Sequence, residues 1–165
     1  MNNRIGQEGL ENAFSDLVDM VSSDYSFTEL ERDTGYFSYL LSPKQANHLK
    51  KLCAQEGWEY PDNYAITIKS GFVKHLIKSR SGTDNLNYEE IKSILKAAFS
   101  PQSTISINRR YDEQAVVINS QKRITVQGNT YYSAAFFEVG QELINKTAYH
   151  MTFNKMEAIK GNSRR

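Results

Sequence analysis

The hydrophobic periodicity of this chain changes near Pro101, and the change narrows the folds that the chain can adopt. Before that point, apolar residues recur at spacings of three and four, as Leu10, Phe14 and Leu17 do, which is the pattern of one helix face. After it, β-branched and aromatic runs alternate with turn residues, which is typical of strands joined by hairpins. Helices followed by consecutive strands predict an α+β fold.

Apolar spacing and helix end signals predict four helices. Ser42 and Pro43 are suited to open the second helix, and Gly57 is suited to end it. Asn87 and Glu90 have the spacing of a capping box at the start of the fourth. The predicted helices cover about residues 9–22, 43–57, 70–80 (with Ser70 as its cap) and 87–100.

Short β-rich runs predict the strands, and a Gly-Asn pair at Gly128 marks one hairpin turn. The runs are at residues 36–41, 64–69, 105–109, 115–119, 124–127, 131–139 and 149–153. We expect an antiparallel sheet of four to five strands with two helices on one face, preceded by a mainly helical N-terminal segment. The other face of the sheet is expected to stay open, and residues 155–165 are expected to form a short, basic, frayed tail.

The net charge of +1 conceals a strong asymmetry along the chain. Residues 1–63 carry five Lys or Arg against eleven Asp or Glu, whereas residues 64–165 carry fifteen against eight. We therefore predict an acidic segment over 1–63 and a basic α+β domain over 64–165. A basic block is the electrostatic footprint of a phosphate-backbone partner, and the acidic block either repels such a partner or folds against the basic part. A role in solubility alone is the other interpretation.

Composition excludes several classes of protein. No stretch approaches the roughly 18 apolar residues that a membrane span needs, so no membrane partner is expected. The first residues lack the apolar core of a secretory signal, and the single cysteine, Cys53, cannot form an internal disulfide. These features favour a reducing, cytoplasmic setting.

Elimination leaves few kinds of chemistry open. Cys53 and three scattered histidines show no metal-ligand spacing, and the chain has neither a Walker A motif nor a GxGxxG motif. Cys53 itself is better explained as a small core residue of the second helix than as a nucleophile. We therefore expect no metal or other cofactor. Metal-independent RNA cleavage fits, because it needs only a proton acceptor, a proton donor and cations around the phosphate.

His75 is the leading candidate for proton transfer. It lies in a basic helix beside Lys74 and Lys78, with Arg80 near the helix end, so phosphate would gather around it. The alternative is an ordinary exposed or structural histidine. Thr152 is the candidate hydroxyl, because strand alternation places it on the same face as His150. Further phosphate contacts are expected from Lys74, Arg109, Arg110, Lys122, Arg123, His150 and Lys155. Arg109 and Arg110 are equally well explained as solvated turn charges.

The order of elements, with KHLIKSR on a short helix and YHMTF on a late strand, resembles the superfamily of barnase, EndoU, colicin and RelE-like ribonucleases. The resemblance is to the compact versions in phage and mobile-element polyproteins, and it covers about residues 64–155. It implies a toxin-like RNA-cleaving activity, with His75, Lys78, Arg80 and Thr152 at the matching positions. The chain departs from the compact versions after the helix, where Ser79, Arg80 and Ser81 replace the usual second basic residue or His.

The sequence therefore predicts a metal-independent endoribonuclease with RNA as its partner. The alternative is a non-catalytic phage or mobile-element protein that binds nucleic acid or a nucleoprotein and inhibits it. A protein partner or inhibitor could also engage the acidic segment, through an apolar patch whose members would be Tyr25, Phe27, Tyr36, Phe37 and Tyr39.

Overall fold

The computed structural model describes residues 3–22, 35–108 and 114–162. In these ranges the chain forms five helices and seven strands, which confirms the α+β class. None of these helices is long and apolar enough to cross a membrane. Two predictions concern residues outside these ranges: the apolar patch was predicted to include Tyr25 and Phe27, and the phosphate contacts to include Arg109 and Arg110.

Capping residues predicted from the sequence mark the starts of two of the five described helices. The five are α1 (Asn3–Ser22), α2 (Pro43–Glu56), α3 (Ser70–Thr83), α4 (Tyr88–Ala98) and α5 (Phe153–Asn162). Ser42 forms a capping box with Gln45, and Asn87 forms one with Glu90. Gly57 ends α2 with a φ of 74°, a conformation that glycine adopts without strain. The predicted cap at Ser70 is wrong, because the cap position of α3 is Lys69, which makes no side-chain capping bond.

The strands form one mixed sheet with the order β1-β2-β7-β6-β4-β3, and β5 pairs with the first part of β6. They are β1 (Gly35–Leu40), β2 (Ala65–Lys69), β3 (Thr104–Ile107), β4 (Ala115–Asn119), β5 (Ile124–Val126), β6 (Asn129–Val139) and β7 (Leu143–Met151). Gln127 and Gly128, both at positive φ, turn β5 into β6.

The sheet corrects the expected antiparallel arrangement in two ways. It is larger than four to five strands, and β2 lies parallel to β7. The parallel pair arises because α3 and α4 cross over between β2 and the later strands, and a parallel neighbour needs such a crossover. β1 also joins the sheet, antiparallel to β2, although it lies in the acidic segment.

The N-terminal segment shares its core with the rest of the chain. Phe14 of α1 stacks on Phe99 with ring centroids 5.2 Å apart, and α1 contacts both α3 and α4. Asp19 of α1 forms an ion pair of 2.6 Å with Lys92 of α4, so acidic and basic segments meet here. A single buried cluster contains apolar residues of α1, α2, α3, α4 and the sheet.

The sequence predicts that the face of the sheet opposite this core stays open, but part of that face is covered. The predicted frayed tail forms α5 instead, and Met156 and Ile159 are buried against Phe136 and Met151. α5 contacts β3 and β6, so it covers that part of the face. Next to it, the outward side chains of Leu40, Thr67 and Ile144 remain exposed. The uncovered part of the face is therefore the β1-β2-β7 part.

Candidate functional site

The predicted site residues fall in three places along the molecule. His75 lines a groove between β2 and β7. Arg80, His150, Thr152 and Lys155 surround the C-terminal end of β7. Lys122 and Arg123 are exposed in the connection between β4 and β5.

The groove at His75 forms because β2 and β7 diverge. The two strands share a single pair of register partners, Ile66 and Leu143, and beyond it the Asn145 side chain donates to the Thr67 carbonyl at 2.9 Å. α3 starts directly after β2, so its first turns close one side of the opening. The resulting cavity has a volume of about 280 Å³.

The lining of this groove is rich in polar and cationic side chains. His75 is exposed and shares the lining with Lys69 and Lys146. One carboxylate, Glu142, also lines the groove. Its members, which we call the His75 groove, are Asn63, Ala65, Thr67, Lys69, Gly71, Phe72, His75, Glu142, Leu143, Ile144, Asn145 and Lys146. Cations and a titratable imidazole can hold a phosphodiester beside a proton donor or acceptor.

Lys69, Asn145 and Lys146 were missed by sequence reasoning. The strand was predicted to start only at Tyr149, since polar residues interrupt the apolar alternation before it. The register with β6 explains the interruption: Phe137 pairs with Asn145 and Phe136 with Thr147, so Lys146 lies in a bulge. Ile144 and Thr147 are β-branched, and they were the signal in the sequence that β7 starts before Tyr149.

Neither Lys78 nor Lys74 lines the His75 groove. Lys78 is exposed one turn after His75 on α3, and Lys74 is half-buried. Arg80 lies farther along the helix, where its guanidinium pairs with Asp84 at 2.5 Å. The same guanidinium lies 5.7 Å from the ring centroid of Tyr149 on β7. Arg80 is therefore held at the edge of the sheet beyond the groove.

Tyr149 is the centre of this second cluster. Its ring stacks on Phe136 at 5.0 Å, and the ammonium of Lys155 lies 4.8 Å from its centroid. Two cations thus share one ring, which is an arrangement favoured by the negative potential of an aromatic face. Thr152 is exposed next to it, and its hydroxyl accepts a bond of 3.2 Å from the Lys155 amide. That hydroxyl therefore caps the start of α5.

His150 is half-buried on the helix-facing side of β7. Its ring meets the edge of Tyr131 at 4.7 Å between centroids. Burial lowers the pKa of His150 below its ordinary value, and the charge of Arg80 lowers it further, while Asp84 and Glu90 act in the opposite direction. The imidazole is consequently neutral near pH 7.

Several buried polar atoms along β7 have no hydrogen-bond partner among the described residues. They are Asn145 Oδ1, Thr147 Oγ1, His150 Nδ1 and, from the neighbouring α3, Arg80 Nε. Buried polar atoms are usually bonded to protein or water, so each of these atoms needs a partner that the described side chains do not supply.

Lys122 and Arg123 line a separate cavity of about 460 Å³, with Lys96 and Glu11. Arg123 also donates to the Tyr132 hydroxyl at 3.3 Å.

Of the predicted apolar patch on the acidic segment, Tyr39 is buried and Phe37 packs edge-on against Phe14 at 5.1 Å. Those two rings are part of the core.

Within the described ranges, no cluster of three or more His, Cys, Asp or Glu side chains is arranged to hold a metal ion. Comparison of the chain with protein-family models, with curated proteins and with solved structures finds no match.

Proposed function

We propose that this protein is a metal-independent endoribonuclease, of the toxin-like kind, with its reaction centre in the His75 groove. One observation carries the proposal: an exposed histidine, two lysines and Asn145 line one cavity at a point where two strands diverge. The cavity opens on the basic part of the chain, which attracts polyanions.

The reaction uses the 2′-hydroxyl of RNA as its nucleophile. A base removes the hydroxyl proton, and the 2′-oxygen forms a bond to the adjacent phosphorus. The bond from phosphorus to the 5′-oxygen breaks, and that oxygen takes up a proton from an acid. The products are a 2′,3′-cyclic phosphate and a 5′-hydroxyl.

The groove supplies one proton-transfer group, which acts as base or acid while water exchanges the other proton, and two cationic side chains. His75 is the proton-transfer group, because imidazole exchanges protons near neutral pH. Lys69 and Lys146 stabilise the negative charge that grows on the phosphoryl oxygens in the transition state. The ammonium of Lys146 also forms an ion pair of 3.0 Å with Glu138. Arg80 and Lys155 bind the RNA chain beyond the groove.

Binding of RNA without turnover is the second candidate function. Two residues that the resemblance assigns to catalysis already have structural contacts, which favours this second function. Arg80 pairs with Asp84, and the Thr152 hydroxyl caps α5. If Arg80 and Thr152 have structural roles, the exposed side chains of Lys69, Lys146 and Lys155 still provide cations that bind phosphates.

The two functions differ in turnover. We would incubate the purified full chain with total tRNA and messenger RNA in EDTA, and analyse the ends of the products. The proposal predicts 2′,3′-cyclic phosphate ends with the wild type, and a loss of at least about 100-fold in rate for His75→Ala. RNA affinity should change little in that variant. Binding by the wild type without any cleavage would instead establish the second function.

His48→Ala is the matched control, since His48 is also an exposed histidine but lies on α2, away from the groove. It should cleave like the wild type. A second pair separates the groove from the helix: Lys146→Ala should slow cleavage more than Lys78→Ala, because only Lys146 lines the groove. Equal losses in that pair would move the reaction centre toward the exposed face of α3.

A further inference from the structure

Phe153 exposes a large apolar ring at the start of α5. More than half of its surface, 55%, is accessible to solvent. Its ring lies 6.0 Å from that of Tyr132, tilted by 48°. The two rings line a shallow cavity of about 320 Å³ together with Arg123 and Thr130. An exposed aromatic ring beside a second ring and a guanidinium offers a surface on which a planar, anionic ligand can stack.

The charge around the two rings indicates the kind of ligand. Arg123 donates to the Tyr132 hydroxyl at 3.3 Å, which fixes the guanidinium beside the cavity. Lys122 is exposed next to it, and Lys155 is exposed in the first turn of α5. Aromatic faces bind unpaired bases by stacking, while Arg and Lys bind the phosphates that connect them. A nucleic acid strand with unpaired bases matches both chemistries.

The position of the rings relative to β7 gives this ligand a path. Tyr132 pairs in register with Met151, whereas Lys146 lies five positions earlier on the same strand. A separation of five positions spans about 16 Å of extended strand. The cations around Tyr149 lie between these two positions. A single strand can therefore contact the His75 groove, the Tyr149 cluster and the two rings in turn.

We propose that Phe153, Tyr132 and Arg123 form a base-stacking subsite for single-stranded RNA, at the opposite end of β7 from the His75 groove. Its role as a substrate subsite rests on the proposed function, but its capacity to bind an unpaired base does not. The subsite would hold a base several nucleotides away from the bond that is cut.

The test is a binding measurement with RNA that cannot be cleaved. A fluorescent 2′-O-methyl oligonucleotide of about twelve nucleotides lacks the free nucleophile and fits the site sizes of single-strand binders. Fluorescence anisotropy with the full chain should give a Kd for Phe153→Ala that is raised on the order of 5- to 150-fold. Tyr60→Ala, which removes an equally exposed ring from the loop after α2, should leave the Kd unchanged.

Two further comparisons make the result specific for stacking. Phe153→Leu keeps an apolar side chain at the start of α5 but removes the aromatic face, so it should weaken binding as Phe153→Ala does. An oligonucleotide of the same length with abasic residues should bind the wild type and both variants equally. Unchanged affinity in the two Phe153 variants would overturn the subsite. Equal losses on the abasic strand would also overturn it, because the ring would then act without a base.

Failure of this inference and failure of the proposed function give different results. If the wild type cleaves RNA but the Phe153 variants bind the 2′-O-methyl strand normally, the reaction centre stands and the subsite falls. If the wild type cleaves no RNA but the Phe153 variants bind the 2′-O-methyl strand more weakly than the wild type, the subsite is supported and the protein binds RNA without cleaving it. If a protein ligand occupies the rings instead, the base-containing and abasic strands will bind alike.

Discussion

Gln45 is a buried amide that joins β1, α2 and the connection from α4 to β3. Its Oε1 accepts bonds from the Tyr39 hydroxyl at 2.8 Å and the Ser42 amide at 3.0 Å. Its Nε2 donates to the carbonyls of Ser100 and Ser103, both at 2.8 Å. Gln45→Ala would leave these groups without partners in a buried site, so we expect a loss of about 2–4 kcal/mol in the free energy of unfolding.

Denaturant titration measures this loss. Gln55→Ala is the matched control, because Gln55 is an exposed glutamine on the same helix. It should change the free energy of unfolding by less than about 0.5 kcal/mol. Equal, small effects of the two substitutions would contradict the role assigned to the Gln45 amide.

His150 gives the fold a dependence on pH. Its pKa in the folded chain is lower than the ordinary value of 6.5, chiefly because of burial. Between the two pKa values the unfolded chain binds more protons, so stability should fall as the pH drops below about 6.5. His150→Gln should make the free energy of unfolding less sensitive to acid between pH 7.5 and 5.5, roughly one unit on either side of that value.

The charged groups that act on His150 are Asp84, Arg80 and Glu90. Burial lowers the pKa of His48 as well, so His48→Gln measures the separate share of that residue. If the unfolding midpoints of His150→Gln and the wild type respond identically to acid, His150 is not held neutral in the fold.

At the scale of elements, α5 is the feature whose contribution is easiest to measure. Met156 is 2% exposed and packs with Ile159 against Phe136 and Met151. Met156→Ala should therefore lower the free energy of unfolding by about 2–4 kcal/mol. Met20→Ala, at a methionine that is 36% exposed, should cost far less. A negligible cost at Met156, measured by urea titration, would mean that α5 does not stabilise the sheet.

Local signals were sufficient for many of the elements. Ser42 with Gln45, and Asn87 with Glu90, fix helix starts through bonds within four residues, so the sequence alone predicts them. α5 could not be predicted in this way. Its buried residues, Met156 and Ile159, are separated by one turn within a short basic segment, and only contact with the sheet stabilises the helix.

The parallel pairing of β2 with β7 could not be predicted from local sequence patterns either. It depends on a crossover through α3 and α4 and connects residues more than seventy positions apart, as Ile66 and Leu143 are. His75 was predicted as a site residue from its basic helix, whereas Lys69 and Lys146 were not. Their place beside His75 follows from the divergence of the two strands, which no spacing along the chain reveals.

At the scale of the whole molecule, the predicted division into residues 1–63 and 64–165 remains a prediction about how the chain folds. Phe14, Leu17 and Val18 of α1 are buried in the same cluster as Ile91 and Leu95 of α4. We expect a fragment of residues 64–165 to lack a cooperative unfolding transition, because removal of α1 exposes the apolar faces of α3 and α4. Circular dichroism during urea titration would show it. A transition as sharp as that of the full chain would establish 64–165 as an independent domain.

We propose that the His75 groove cuts RNA through the 2′-hydroxyl of the substrate. An oligodeoxynucleotide with a single ribonucleotide in its middle tests this mechanism, in EDTA and with the full chain. We predict one cut, at the phosphate that follows the ribose, which leaves a 2′,3′-cyclic phosphate. The matching strand without the ribose should stay intact, and His75→Ala should cut neither. Cleavage of the all-deoxy strand, or no cleavage of a bound strand that contains the ribose, would contradict the account.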